Sequence, residues 1–139
     1  MGGIIPLNSA EETREFAARF ASSLNNGSLL ALYGPLGAGK TTFMQGLLRG
    51  LGGREEDVHS PTFVTLHHYE ARIPLFHFDL YRLKSPQEFL ALGFDEYFDQ
   101  GGIVAIEWPE RIESLLPVFT SRLRFSSSGN TRVVSYEPS

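Results

Sequence analysis

Gly34-Pro35-Leu36-Gly37-Ala38-Gly39-Lys40-Thr41 satisfies the pattern G-x-x-x-x-G-K-[ST] in full. Glycines at these spacings let the backbone adopt positive φ and bring its N–H groups against phosphate oxygens. A helix beginning near Gly39 aims its unsatisfied N–H groups, with about half a positive charge, at the same anion. Lys40 can then reach the β- and γ-phosphates, and the Thr41 hydroxyl can take a place on Mg²⁺. In a chain of this composition the pattern arises by accident roughly 3 times in 1,000. Context narrows it further, because the motif requires a buried strand before it and a helix after it.

Both flanks are present. Ser28-Leu-Leu-Ala-Leu-Tyr33 is a short apolar run of buried-strand character, and Lys40 to Leu51 reads as a helix stopped by Gly52-Gly53. Upstream, Ser9-Ala10-Glu11-Glu12 has capping-box form, and Phe16, Ala17, Phe20, Ala21 and Leu24 recur at helical spacing. Downstream, residues 62–69 and 75–79 read as a hairpin, a helix is expected from Pro86, and a shorter helical piece lies near 94–98. Gly102-Ile-Val-Ala-Ile-Glu107 is the clearest buried strand, followed by a short helix over 109–116. Strands at 120–125 and 132–136 form a terminal hairpin. Strands interleaved with helices indicate an α/β chain, a three-layer P-loop NTPase fold whose central parallel strands are flanked by antiparallel ones. Without repeat or linker, residues 1–139 are read as a single domain.

Composition bounds the function. There are no cysteines, which excludes a disulfide scaffold, a thiolate metal site and cysteine catalysis. No apolar run approaches the roughly 18 residues of a membrane span, and Met1 to Leu7 lacks the features of a signal peptide, so a cytoplasmic protein is expected. Twelve basic residues against sixteen acidic ones give a net charge of −4, without the broad basic field of an autonomous nucleic-acid binder. The only lysine besides Lys40 is Lys84, in Arg82-Leu83-Lys84-Ser85-Pro86. It lacks the Asn-Lys-x-Asp surroundings of a guanine box, so ATP is the expected nucleotide.

A second metal ligand should come from an acid at the carboxyl end of a buried strand. Asp79, after Leu75-Phe-His-Phe78, and Glu107, after Ile103-Val-Ala-Ile106, both qualify. Glu107 has the purer apolar lead-in and is preferred for the metal; Asp79 would orient the attacking water or hold a metal-bound one. Thr62, in Ser60-Pro61-Thr62, stands where switch segments offer a threonine to the γ-phosphate. His67 and His68 are adjacent, so on a strand they point to opposite faces. His77, two residues before Asp79, reads as a hydrogen-bonded neighbour of the site or a core residue. Trp108, the only tryptophan, falls near the site because it follows Glu107.

Four blocks together carry a resemblance: residues 34–43, Ser-Pro-Thr-Phe at 60–63, His-Phe-Asp-Leu-Tyr-Arg-Leu at 77–83 and Ile-Glu-Trp-Pro-Glu at 106–110. In order and spacing they resemble the bacterial TsaE (YjeE) ATPases, over about residues 9–137. The resemblance implies ATP and Mg²⁺ as cofactors. It places the nucleotide on Gly37, Ala38, Gly39, Lys40, Thr41 and Thr42, with Trp108 alongside and Thr13 close to the adenine. It implies Thr41 and Glu107 on the metal, and Lys40, Asp79 and Thr62 as the catalytic set. Pro35 departs from the acidic residue usual there. The terminal hairpin matches least, and no adenine contact is carried over to Arg132. The family supports threonylcarbamoyladenosine formation at position 37 of ANN-reading tRNAs. The implied partners are the threonylcarbamoyltransferase subunit TsaD and its inactive sister TsaB, with tRNA reached through that complex and hydrolysis weak without it.

Two rival readings use the same loop. A small-molecule kinase would need further arginines in a lid; Arg82 and Arg111 are available, but no arginine-rich lid segment is. A nucleotide-sensing module would bind ATP and hydrolyse it little.

Overall fold

The computed structural model describes residues 3–58 and 65–138. Among these residues, seven strands form one sheet: β1 (Gly3–Leu7), β2 (Leu29–Tyr33), β3 (Leu66–Tyr69), β4 (Leu75–Asp79), β5 (Ile103–Glu107), β6 (Ser121–Ser128) and β7 (Thr131–Glu137). Their order is β1-β7-β6-β2-β5-β4-β3. β6, β2, β5 and β4 run parallel, while β7, β1 and β3 pair antiparallel at the flanks. This is the expected mixed sheet with a parallel centre.

Three α-helices among the described residues pack on it: α1 (Ala10–Ala21), α2 (Lys40–Gly50) and α3 (Pro86–Ala91). β2, β4 and β5 are buried along their whole length, so both sheet faces are covered, as apolar parallel strands require. Alternation sorts their side chains. Leu30, Leu32, Leu75, Ile103 and Ala105 face α1 and α2, and Leu29, Phe76, Phe78, Val104 and Ile106 face α3 and the 3₁₀ segments at Phe94–Phe98 and Pro109–Leu115. His77, Asp79 and Glu107 share the parity of Leu75 and Ile103, so the sheet turns all three toward the α2 side. Among the described residues, no helix is long and apolar enough to cross a membrane.

Several boundaries differ from the sequence reading. β1 was not expected: it is a short edge strand containing Pro6, and its partner β7 comes from the other end of the chain. The terminal hairpin is longer than read, with β6 running to Ser128 and the turn at Gly129-Asn130. The helical pieces expected at 94–98 and 109–116 are present as 3₁₀ segments, the second ending at Leu115.

Candidate active site

The three helix starts differ in a way that marks one of them. Ser9 caps α1 by accepting from the Glu12 amide at 3.0 Å, and Ser85 caps α3 by accepting from the Glu88 amide at 3.2 Å. In each case the glutamate reaches back to the amide just before the cap, Asn8 at 2.9 Å or Lys84 at 2.8 Å. α2 has neither device: Gly39 stands at its cap with φ 106°, no side chain caps it, and its first turn holds no acid. Its leading N–H groups are therefore available to an anion.

A cavity of about 440 Å³ opens at this helix start. Gly37, Gly39, Lys40, Thr41, Thr42 and Glu107 line it on one side. Thr13 of α1 also lines it, with Asn130 and Arg132 of the terminal hairpin. Thr13 is buried, its hydroxyl donating to the Ser9 carbonyl at 3.3 Å. Ala38 is buried in the core instead of lining the cavity. Gly34 needs its glycine twice over: its φ is 143°, and a Cβ there would lie 2.6 Å from the Phe125 carbonyl oxygen.

Lys40 is buried, its ammonium donating to the Gly34 carbonyl and lying 4.3 Å from the Trp108 ring centroid. Burial lowers its pKa, against the opposing pull of Glu107, Glu110 and Asp79. Trp108 reaches this position through a left-handed backbone, φ 60° and ψ 47°, the one positive φ at a non-glycine among the described residues. That conformation costs a tryptophan about 1–2 kcal/mol. The indole also packs on Tyr81, ring centroids 5.0 Å apart.

Asp79 and Glu107 sit opposite each other in the β4–β5 register, both buried. The Tyr81 amide donates to Asp79 Oδ1 at 3.1 Å. Glu107 Oε2 is 2.6 Å from His77 Nε2. Burial raises the Asp79 pKa, and the charge of Glu107 raises it further. Tyr69, buried on β3 within the field of Glu107, is pushed up to about 12, chiefly by burial. Asp79 is not on the cavity wall, and Thr62 lies outside the described residues.

Lys40, Thr41, Thr42, Gly37, Gly39, Thr13 and Glu107 thus meet at one cavity, with Trp108 and Asp79 touching its members. Asn130 and Arg132 were not among the site residues read from sequence, since their place depends on how β7 pairs beside α1. The His77–Glu107 pair carried a fainter signal, the shared parity of His77 and Asp79 on one strand. The oxygen donors gathered here, a threonine hydroxyl and a strand-end carboxylate, suit a hard divalent cation such as Mg²⁺.

Fold and loop together define a P-loop NTPase-like α/β protein. The crystal structure of Bacillus subtilis YdiB superposes with a TM-score of 0.82, at 30% identity, covering 99% of this chain and 86% of that one. The family model described as "Threonylcarbamoyl adenosine biosynthesis protein TsaE" matches residues 7–134. A relative named tRNA threonylcarbamoyladenosine biosynthesis protein TsaE from Treponema pallidum is 41% identical over 127 residues, 90% of this chain and 93% of its own. One of the same name from Nostoc is 48% identical over 111 residues, 76% of this chain and 67% of its own. The chain belongs to the TsaE family, whose members are named for tRNA threonylcarbamoyladenosine biosynthesis.

Proposed function

We propose that the chain is a Mg²⁺-dependent ATPase that supports threonylcarbamoyladenosine formation at position 37 of ANN-reading tRNAs, acting with TsaD and TsaB. The observation that carries this reading is the uncapped, acid-free start of α2, opening with Lys40 onto a cavity that Glu107 also lines. A triphosphate there would meet the α2 amides and the Lys40 ammonium, and the cavity leads on toward Thr13, where a base has room. Lys40, already stripped of water, exchanges the Gly34 carbonyl and the indole face for phosphate oxygens at low desolvation cost. Thr41 and Glu107 would hold Mg²⁺, which supplies neutralisation of the phosphate charge when bound. Asp79, opposite Glu107 in the register and fixed by the Tyr81 amide, would act through the metal, holding a metal-bound water or orienting the attacking one.

Product analysis tests the reading. ADP with free phosphate supports it, phosphate on an added metabolite favours a kinase, and unchanged ATP favours a sensor. Lys40→Ala removes one preorganised donor to the developing charge and should cost about 2–4 kcal/mol of transition-state stabilisation. Steady-state phosphate release reads this as a fall in kcat/KM; an unchanged rate removes Lys40 from the catalytic set.

A further inference from the structure

Glu107 has two carboxylate oxygens, and the sheet disposes of one of them. Oε2 lies 2.6 Å from His77 Nε2, with both side chains only 4% exposed. An ionised carboxylate only accepts, so Nε2 carries the proton of this bond. Register explains how the two meet: His77 stands opposite Ala105, and Asp79 stands opposite Glu107. On the shared face the small Ala105 leaves space for the imidazole to lean along the strands toward Glu107. His67 and Tyr69 of β3 back the ring, their centroids 5.8 and 6.1 Å away. His77 Nδ1 is buried without a hydrogen-bond partner among the described residues, and Nε2 makes the bond to Glu107. Two polar groups buried for a single bond do little for stability compared with an apolar pair of the same volume. The arrangement does, however, fix a carboxylate's orientation.

We infer that His77 is a positioning residue that engages Oε2 and leaves Oε1 for the cavity, making Glu107 a single-oxygen ligand that favours Mg²⁺ over Ca²⁺. This rests on the Mg²⁺-nucleotide reading above. Mg²⁺ binds via one or two carboxylates in a strict octahedron and keeps its waters, whereas Ca²⁺ accepts six to eight oxygens in a looser shell and takes carboxylates with one oxygen or both. Freeing the second oxygen therefore relaxes the choice of cation.

Calorimetry of ADP binding in EDTA, in Mg²⁺ and in Ca²⁺ tests this on the wild type, His77→Leu and His77→Gln. In His77→Leu the Mg²⁺-dependent gain in ADP affinity should fall tenfold or more, within the roughly 10–100-fold range typical of residues that orient metal ligands. Affinity in EDTA should hold, and the Ca²⁺-dependent gain should persist or rise. His77→Gln retains an N–H donor of similar reach and should keep the preference for Mg²⁺. If His77→Leu does not fold, His77→Asn, whose amide stops short of Glu107, should behave as Leu is expected to. Equal loss of both cation effects, or none, overturns the inference while the nucleotide reading stands. A wild type that gains nothing from Mg²⁺ overturns the nucleotide reading, and the inference with it.

Discussion

Asp79 is a carboxylate kept at a cost to the fold. Burial holds its pKa above the ordinary 3.8, and the charge of Glu107 beside it pushes in the same direction. A folded-state pKa raised in this way means the folded chain binds the proton more tightly than the unfolded one. The stability it contributes is fully present below the unfolded value and is lost as pH rises through the folded one. At neutral pH the ionised side chain therefore opposes folding. Asp79→Asn keeps an oxygen for the Tyr81 amide and removes the charge. It should raise the urea midpoint of the nucleotide-free protein at pH 7 to 8, with the gain shrinking as pH falls, while abolishing phosphate release. A midpoint that is unchanged, or lower at pH 8, would mean that the Tyr81 amide, His77 and Lys40 together outweigh burial and the repulsion from Glu107.

At the level of elements, the α1–α2 contact brings Thr13 to the cavity that Lys40 also lines. Two glycines of α2 set its closeness: a Cβ on Gly46 would lie 2.3 Å from the Arg14 carbonyl oxygen, and one on Gly50 would lie 2.5 Å from that of Ala18. Alanine would normally favour a helix by about 1 kcal/mol over glycine. Here the clash is with backbone, which cannot rotate away, and overpacking of this kind costs about 1–3 kcal/mol or more. Gly46→Ala should therefore lower stability on thermal denaturation and, by pushing α1 outward, weaken ATP binding. A stabilised variant would show that α1 gives way freely. The two glycines stand four apart in α2, a visible signal, but which helix they admit is not written locally. The same distinction separates what was legible from what was not. Glycine spacing, capping boxes and apolar strand ends are local, so the phosphate loop, two helix starts and the Asp79–Glu107 pair could be read directly. β1, the Arg132 wall of the cavity and the reach of His77 to Glu107 depend on register between distant segments. In addition, the polar link from Tyr33, just before the loop, to Glu113 and Arg122 at 2.7 and 3.2 Å joins residues 80 and 89 positions apart.

For the whole molecule, charge decides how it can meet tRNA. Twelve basic residues against sixteen acidic ones leave a net −4, and many of the arginines are already paired: Arg14 and Arg49 with Glu11 and Glu55, Arg122 with Glu113, and Arg124 with Glu137. Nucleic-acid affinity at physiological salt comes largely from cations that displace phosphate counterions, and non-specific binders with such cations reach Kd values of about 10⁻⁴–10⁻⁶ M. A chain under a net negative potential, with Arg14, Arg49, Arg122 and Arg124 of its ten arginines held in ion pairs with its own carboxylates, has little to offer in that exchange. The proposed function therefore requires partners that carry the RNA. In gel-shift experiments near 150 mM salt, the chain alone should leave an ANN-reading tRNA unretarded at micromolar concentrations, with or without Mg-ATP. Adding TsaD and TsaB should bring it into a retarded complex, and the same chain should then release phosphate faster than it does alone. Retardation by the isolated chain at that salt would reveal an RNA surface that net charge conceals and would remove the need for partners as carriers.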